Sequence, residues 1–174
     1  MFARKGGGLR NLCFGLNYDR FKHYDIGWNY RYTNLQATLG LSQLKRIKKI
    51  IKKKFDIGNY YYKHFKYLKN ISLQPNKMPY CKNIYWVFGM VIKKKSGLKV
   101  KNIMKKLSQA NIGTRPFFWP MHKQKFLIKN KYFKKSELPN SEYIANHGFY
   151  IPSGLGLKFK ELKYIKDTII KILK

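Results

Sequence analysis

The feature that most constrains the fold is the order in which helical and strand-like stretches alternate along the chain. Apolar spacing and capping residues predict four helices, and apolar or aromatic runs with β-branched residues predict three short strands between them. The predicted helices cover 35–68, 100–110, 142–147 and 158–173, and the predicted strands or extended segments cover 85–92, 112–118 and 149–151. This order predicts an α+β fold, a small sheet with helices covering one face.

Length and cysteine content exclude several classes of protein. The 174 residues are enough for one domain that needs no disulfide or metal to be stable. Two cysteines, Cys13 and Cys81, cannot form a disulfide framework or a four-cysteine zinc site, and they favour a reducing, cytoplasmic location. The four histidines show no ligand spacing, so no metal site is expected. We also expect no membrane segment, because no apolar run approaches ~20 residues.

The charge is strongly positive, with 38 Lys and Arg against 7 Asp and Glu, a net charge of +31. Such a field attracts polyanions without specificity, and it leaves open a basic nucleic-acid-binding module. That module would combine the lysine-rich stretch 45–54 with Tyr60–Tyr62 as a stacking platform. However, 32 of the 38 basic residues are Lys, and Lys, Ile, Asn, Tyr and Phe make up half the chain. The codons of these five residues are A/T-rich, so an A/T-rich genome is the competing explanation for the high lysine content.

Polar groups that could bind a ligand are concentrated in the segment Asp25–Asn34. Asn29 and Arg31 lie there with several tyrosines, just before the first predicted helix. Amide, guanidinium and phenol groups suit phosphate and sugar hydroxyls, since they donate directional hydrogen bonds. A turn with capping residues at Thr33 or Asn34 is the equal alternative.

A second candidate segment is 113–122, which we call the arm. Pro116 and Pro120 stiffen it and exclude it from the centre of a sheet. The side chains with binding chemistry are Arg115, Phe118, Trp119 and His122. Aromatic rings stack on sugars or bases and Arg pairs with phosphate, so the arm is predicted to face a ligand.

Three motifs in these regions resemble signatures of the DegT/StrS sugar aminotransferases, and they occur in the family order. Residues 27–44 are similar to G-[YW]-N-Y-R-M-T-N-x-Q-A followed by G-L-x-Q-L. Residues 112–122 resemble the G-I-x-T-R-P…P-x-H segment, and 145–153 resemble the closing strand G-x-x-L-P-S. The arm's paired Phe residues and its Pro-Met-His are most like those of perosamine-synthase-like members, which aminate a GDP-linked 4-keto-6-deoxy sugar.

The resemblance implies a fold-type-I, pyridoxal-phosphate (PLP) dependent aminotransferase that acts as a dimer. Family members are about twice as long as this chain, and only their C-terminal half is matched. The implied organisation is an irregular segment at 1–32 that carries the cofactor-loop motif, followed by the C-terminal small domain at 33–174. The large domain, with its Schiff-base lysine, has no counterpart in the sequence.

The same resemblance implies roles for individual residues. Asn29 matches the residue that reaches the cofactor phosphate of the partner subunit, and Arg31 is similar to a residue near cofactor and substrate. Arg115, Phe118, Trp119 and His122 match the arm that approaches the nucleotide sugar. Family members commonly have Met at the position of Tyr32, and perosamine-type members commonly have Tyr at that of Trp119. These two departures leave the identity of the sugar open.

No lysine stands in the family's Schiff-base context, so the chain alone is expected to be inactive. It is expected to be a truncated product, or to work with a separate polypeptide that supplies the N-terminal half. A carbohydrate-binding protein without catalysis is the remaining alternative.

Overall fold

The computed structural model describes residues 33–132 and 136–174, which form six α-helices and six strands. The helices are α1 (Asn34–Leu44), α2 (Ile47–Phe65), α3 (Val100–Gln109), α4 (Lys125–Lys129), α5 (Pro139–His147) and α6 (Phe159–Leu173). The strands are β1 (Ile71–Leu73), β2 (Lys77–Met78), β3 (Cys81–Lys82), β4 (Phe88–Ile92), β5 (Arg115–Pro116) and β6 (Gly148–Ile151).

Four of the strands form one antiparallel sheet in the order β1-β4-β6-β5. Strands β2 and β3 form a separate two-stranded hairpin. Strand β5 lies at an edge of the larger sheet, as the prolines of the arm predict, because Pro116 has no N–H to donate. The predicted α+β fold with a small sheet and helices is confirmed.

One face of the sheet is buried against helices. Phe88, Met90 and Ile92 alternate along β4 and are fully buried, as the two-residue period of a strand requires for one inward face. Helix α6 packs on both α2 and α3, and the three helices bury their apolar stripes on this face. The helices contribute Ile57, Tyr61, Phe65, Ile103, Leu107, Leu162, Ile165, Ile169 and Leu173 to the core.

Helix α1 has a different character, because no residue in it is buried. Thr33 and Gln36 form a capping box that fixes its start. Four leucines are 61–75% exposed; Leu35 and Leu39 share one face, and Leu41 and Leu44 lie on roughly the opposite one. A helix that is apolar on opposite sides is typical of one buried on both. The amphipathic pattern predicted for this stretch therefore holds for α2 but not for α1.

Lys54 ties α2 to two distant loops. Its Nζ donates to the carbonyl of Trp86 at 2.9 Å, to the carbonyl of Ser153 at 2.6 Å and to Ser153 Oγ at 3.2 Å. Burial lowers the pKa of this lysine. Lys54 is thus a member of the lysine-rich stretch 45–54 that turns inward, where it links the residues just before β4 to those just after β6.

Two local predictions are wrong. The run 85–92 was predicted to be one buried strand, but β4 begins at Phe88, because Tyr85 adopts φ 51° and breaks the extended backbone. The third predicted helix was expected to begin at 142, but α5 begins earlier, with Pro139 in its first turn. Proline is favoured there because the first helical N–H groups have no partner within the helix.

Candidate functional site

The face of the sheet opposite the core carries the arm and its aromatic residues. Arg115 of β5 and Gly89 of β4 both lie across from Tyr150 of β6, so the three residues share this open face. The arm continues from β5 with a hydrogen bond from Phe117 N to the Gly148 carbonyl, at 3.1 Å. Arg115 itself is exposed.

Two glycines seat the arm on this face. A Cβ at Gly89 would lie 2.8 Å from the ring of Phe117, and one at Gly148 would lie 3.0 Å from the same side chain. Phe117 therefore occupies space that any larger residue at these positions would fill. The glycines bring the backbone of the arm close to the sheet.

Phe118 is the centre of a row of three stacked rings, which we call the aromatic row. Its ring lies 6.1 Å from that of Tyr150, with 21° between the planes, and 6.0 Å from that of Trp86, with 12° between the planes. Phe117 meets Phe118 edge-on at 5.8 Å. Offset stacking at such distances is favourable between aromatic rings, so the row is a defined surface.

Arg115 adds positive charge at the Tyr150 end of the row. Arg115 lies across from Tyr150 in the sheet; burial raises the pKa of the Tyr150 phenol, while the charge of Arg115 acts to lower it. A planar guanidinium recognises phosphate, and ring faces bind bases or sugars. The structure thus brings together two of the predicted substrate residues, Arg115 and Phe118, and adds Tyr150 and Trp86.

The other two predicted substrate residues turn away from the row. The Trp119 indole N–H donates to the carbonyl of Lys123 at 3.0 Å, within the arm's own turn. The side chain of His122 is only 7% exposed, and its Nε2 lies 3.1 Å from Glu142 Oε1. Their roles at a substrate stay predictions, and the contacts seen here hold the arm in shape.

Glu142 of α5 fastens the end of the arm. One carboxylate oxygen contacts His122, and the other lies 3.0 Å from Lys123 Nζ. The hydrogen bond with His122, followed by that with Lys123, lowers the pKa of Glu142 from 4.5 to about 2. The arm is therefore attached at both ends, to β6 by backbone pairing and to α5 by this carboxylate.

We expect the Glu142→Gln variant to have a flatter dependence of stability on pH in acid. Because the folded pKa lies below the ordinary value, the carboxylate stabilises the fold above about pH 4.5, and this contribution is lost as the pH falls toward 2. Urea midpoints at about pH 5 and about pH 2.5 should fall more for the wild type than for the variant. Asp56→Asn is the control, since Asp56 forms an exposed pair with Lys52 at 3.5 Å, and such pairs contribute little. Parallel curves for wild type and Glu142→Gln would contradict the assignment.

The residues expected to bind the cofactor, Asn29 and Arg31, lie outside the described residues. Within 33–132 and 136–174, Lys54 is a half-buried lysine with a lowered pKa, but its amino group already donates to three oxygens. The carboxylates of this part are exposed on the surface, apart from Glu142, which holds the arm. These described residues do not by themselves fit PLP, which needs a lysine for its aldehyde and a carboxylate for its pyridine nitrogen at one site.

The structure does not support the stacking platform of the nucleic-acid alternative. Tyr61 is fully buried, stacks on Phe65 at 5.6 Å, and donates its hydroxyl to the Pro152 carbonyl at 2.9 Å. Tyr60 packs against Phe159. Tyr61 is therefore a core residue, and Tyr60 and Tyr62 pack against the same core.

Within residues 33–132 and 136–174, no three His, Cys, Asp or Glu side chains are grouped as metal ligands. The helices of the same ranges are too short or too polar to cross a bilayer.

Comparison with curated proteins points to enzymes that make amino sugars. The chain is 30% identical over 151 residues to the GDP-perosamine synthase of Vibrio cholerae, covering 86% of this chain and 40% of that enzyme. It is 28% identical over 151 residues to the GDP-perosamine synthase of Escherichia coli O157:H7, covering 86% and 39%. The chain thus spans about two fifths of the length of the curated relatives it matches.

Solved structures share the fold. Helicobacter pylori PseC, an aminotransferase of pseudaminic acid biosynthesis, aligns with a TM-score of 0.72 and 20% identity, over 86% of this chain and 39% of that one. The E. coli GDP-4-keto-6-deoxy-D-mannose-3-dehydratase, solved with bound hydrated PLP, aligns with a TM-score of 0.66 and 25% identity, over 90% and 39%.

The family assignment follows from the match of residues 5–170 to a single family model, which includes all three motifs and the arm. The family is PLP-dependent, as the PLP-bound neighbour illustrates. The chain belongs to the DegT/DnrJ/EryC1/StrS aminotransferase family.

Proposed function

We propose that this chain is the C-terminal part of a PLP-dependent sugar-nucleotide aminotransferase, which aminates a nucleotide-linked 4-keto-6-deoxy sugar in the manner of GDP-perosamine synthase. The observation that carries the proposal is the arm, whose sequence matches the family and whose structure presents Arg115 beside the aromatic row. A guanidinium and stacked rings suit a diphosphate and its attached base or sugar. Two of the curated relatives are named GDP-perosamine synthases, and the product in that name is a GDP sugar.

Helix α1 supports the part of this proposal that concerns a missing partner. Its leucines are exposed on opposite sides, and exposed apolar surface of this kind is typical of an interface. The occupant we propose is the part of a longer enzyme that the relatives possess and this chain does not match. That part would supply the Schiff-base lysine, and a second subunit would complete the dimer.

PLP, when bound, supplies the electron sink for transamination, and a lysine must hold it and move the proton. We infer that the isolated chain does not transaminate. The residues of the chain have other tasks in this proposal: Asn29 and Arg31 approach the cofactor, and Arg115, Phe118, Trp119 and His122 approach the nucleotide sugar.

The test has two arms. The purified chain is treated with equimolar PLP, reduced with borohydride and mapped by mass spectrometry, and we expect scattered labelling of surface lysines with no preferred position. The chain is then co-expressed with the polypeptide encoded directly upstream, and we expect a complex on size exclusion that transfers an amino group from glutamate to the 4-keto sugar nucleotide.

Either arm can contradict the proposal. Stoichiometric labelling of one lysine in the isolated chain would show that it holds the cofactor unaided. If no complex forms and no activity appears, the split-enzyme form of the proposal is wrong. An Arg115→Ala complex that remains assembled but has a raised KM would support the role of the arm.

A further inference from the structure

Trp86 is the outermost ring of the aromatic row and the least buried. Tyr150 is half-buried and Phe118 is 39% exposed, while Trp86 is 66% exposed. Its plane nearly parallels that of Phe118, 12° apart at 6.0 Å. The row thus ends in a large flat surface that faces solvent.

The fold holds Trp86 in this place without burying it. Tyr85, the residue before it, is buried and has φ 51°, so the chain turns there and directs the next side chain outward. The carbonyl of Trp86 accepts a hydrogen bond from Lys54 at 2.9 Å, and the same amino group holds Ser153. An exposed indole adds little to the stability of the chain through burial. The backbone at Trp86 is nevertheless held in place, by the turn at Tyr85 on one side and by the hydrogen bond from Lys54 on the other.

The chemistry along the row changes from apolar to charged. Trp86 lies at one end, and Arg115 lies across from Tyr150 at the other, with Phe118 between them. Indole has the largest π face of any side chain, and the base of a nucleotide stacks on such a face. A nucleoside diphosphate has a flat base at one end and the diphosphate anion at the other. These two ends match the ring face of Trp86 and the charge of Arg115 at the two ends of the row.

We propose that Trp86 stacks on the nucleobase of the nucleotide sugar, with Arg115 directed to its diphosphate. This inference rests on the proposed function for the identity of the ligand, and it adds a residue that the sequence motifs do not mark. It assigns recognition of the base to this chain, separate from the cofactor.

The experiment measures binding of guanosine and of GDP to the full chain by calorimetry at about 0.15 M salt, where exposed charges beyond about 8 Å are screened. Guanosine is uncharged, so the net charge of +31 cannot attract it. The variants are Trp86→Ala, Trp86→Phe and Arg115→Ala, with Tyr67→Ala as the matched control. Tyr67 is an exposed aromatic residue with Lys66 Nζ 4.8 Å from its ring, and it is not part of the row.

We expect Trp86→Ala to weaken both ligands by roughly 5- to 150-fold, the equivalent of one base–aromatic stack. Trp86→Phe should recover most of the binding, since phenylalanine also offers a ring face. Arg115→Ala should weaken GDP but not guanosine, and Tyr67→Ala should weaken neither.

Three results would overturn the inference. These are unchanged guanosine binding by Trp86→Ala, equal weakening by Tyr67→Ala, and absence of guanosine and GDP binding by the wild-type chain at millimolar concentration. Failure here is distinct from failure of the proposed function. An active complex with unchanged Trp86→Ala binding would refute only the stacking, and stacking without activity would refute only the aminotransferase assignment.

Discussion

Replacing Phe88 with alanine should cost about 3–5 kcal/mol of unfolding free energy, the range for removing a fully buried Phe. Phe88 is fully buried at the start of β4. Its ring contacts three others, lying 5.2 Å from Tyr61, 6.1 Å from Phe65 and 5.8 Å from Tyr85. The variant therefore leaves a cavity at the point where α2, the sheet and the turn before β4 meet.

Phe159→Ala is the matched control, with the same chemical change at a site that is 69% exposed. Its ring contacts that of Tyr60 at 5.7 Å, so the loss should be about 1 kcal/mol or less. Urea unfolding followed by circular dichroism gives both values. Equal losses for the two variants would mean that Phe88 is not a core residue.

The second large effect is expected at Gly58, within α2. A Cβ at this position would lie 2.2–2.7 Å from three atoms of the Tyr85 ring, closer than carbon atoms approach. Tyr85 cannot move aside easily, because it is 1% exposed and its hydroxyl donates to Asn76 Oδ1. We expect Gly58→Ala to destabilise the chain by about 1–3 kcal/mol, the usual cost of overpacking, in spite of the better helix propensity of alanine.

Gly40 in α1 provides the opposite case. Nothing lies within 4 Å of a Cβ there, so Gly40→Ala gains propensity without a clash. Its stability should be equal to the wild type or higher by up to about 1 kcal/mol. The two variants measured side by side separate packing from propensity, and a stabilised Gly58→Ala would show that Tyr85 does not pack on α2.

Much of this architecture follows from local sequence patterns. Helical spacing predicts α3 and α6 closely and places α2 within a longer helical stretch, because each buries one apolar stripe on the same face of the sheet. The prolines of the arm place β5 at an edge. Trp86 shows the limit of this reasoning, since it lies in a continuous apolar run and only the positive φ of Tyr85 turns it outward.

The candidate site was predicted in part. Arg115 and Phe118 carry the expected chemistry and lie together on the open face. Tyr150 was not singled out, because its pairing with Arg115 across β5 and β6 could be seen only once the strand order was known. His122 was predicted at the substrate because the motif contains it, but its contact with Glu142 depends on α5, twenty residues along the chain.

The strand order has a consequence for the newly made chain. The central strand β4 pairs with β1, which precedes it, and with β6, which is synthesised much later. At roughly 5–20 residues per second, the ribosome needs about 4–16 s to pass from Ile92 to Leu173 and so to deliver β6 and α6. Until Ile151 has been made, β4 lacks its second neighbouring strand, and until Leu173 has been made its apolar side lacks part of its cover. The nascent chain therefore exposes apolar surface of the kind that favours aggregation until its last helix has emerged.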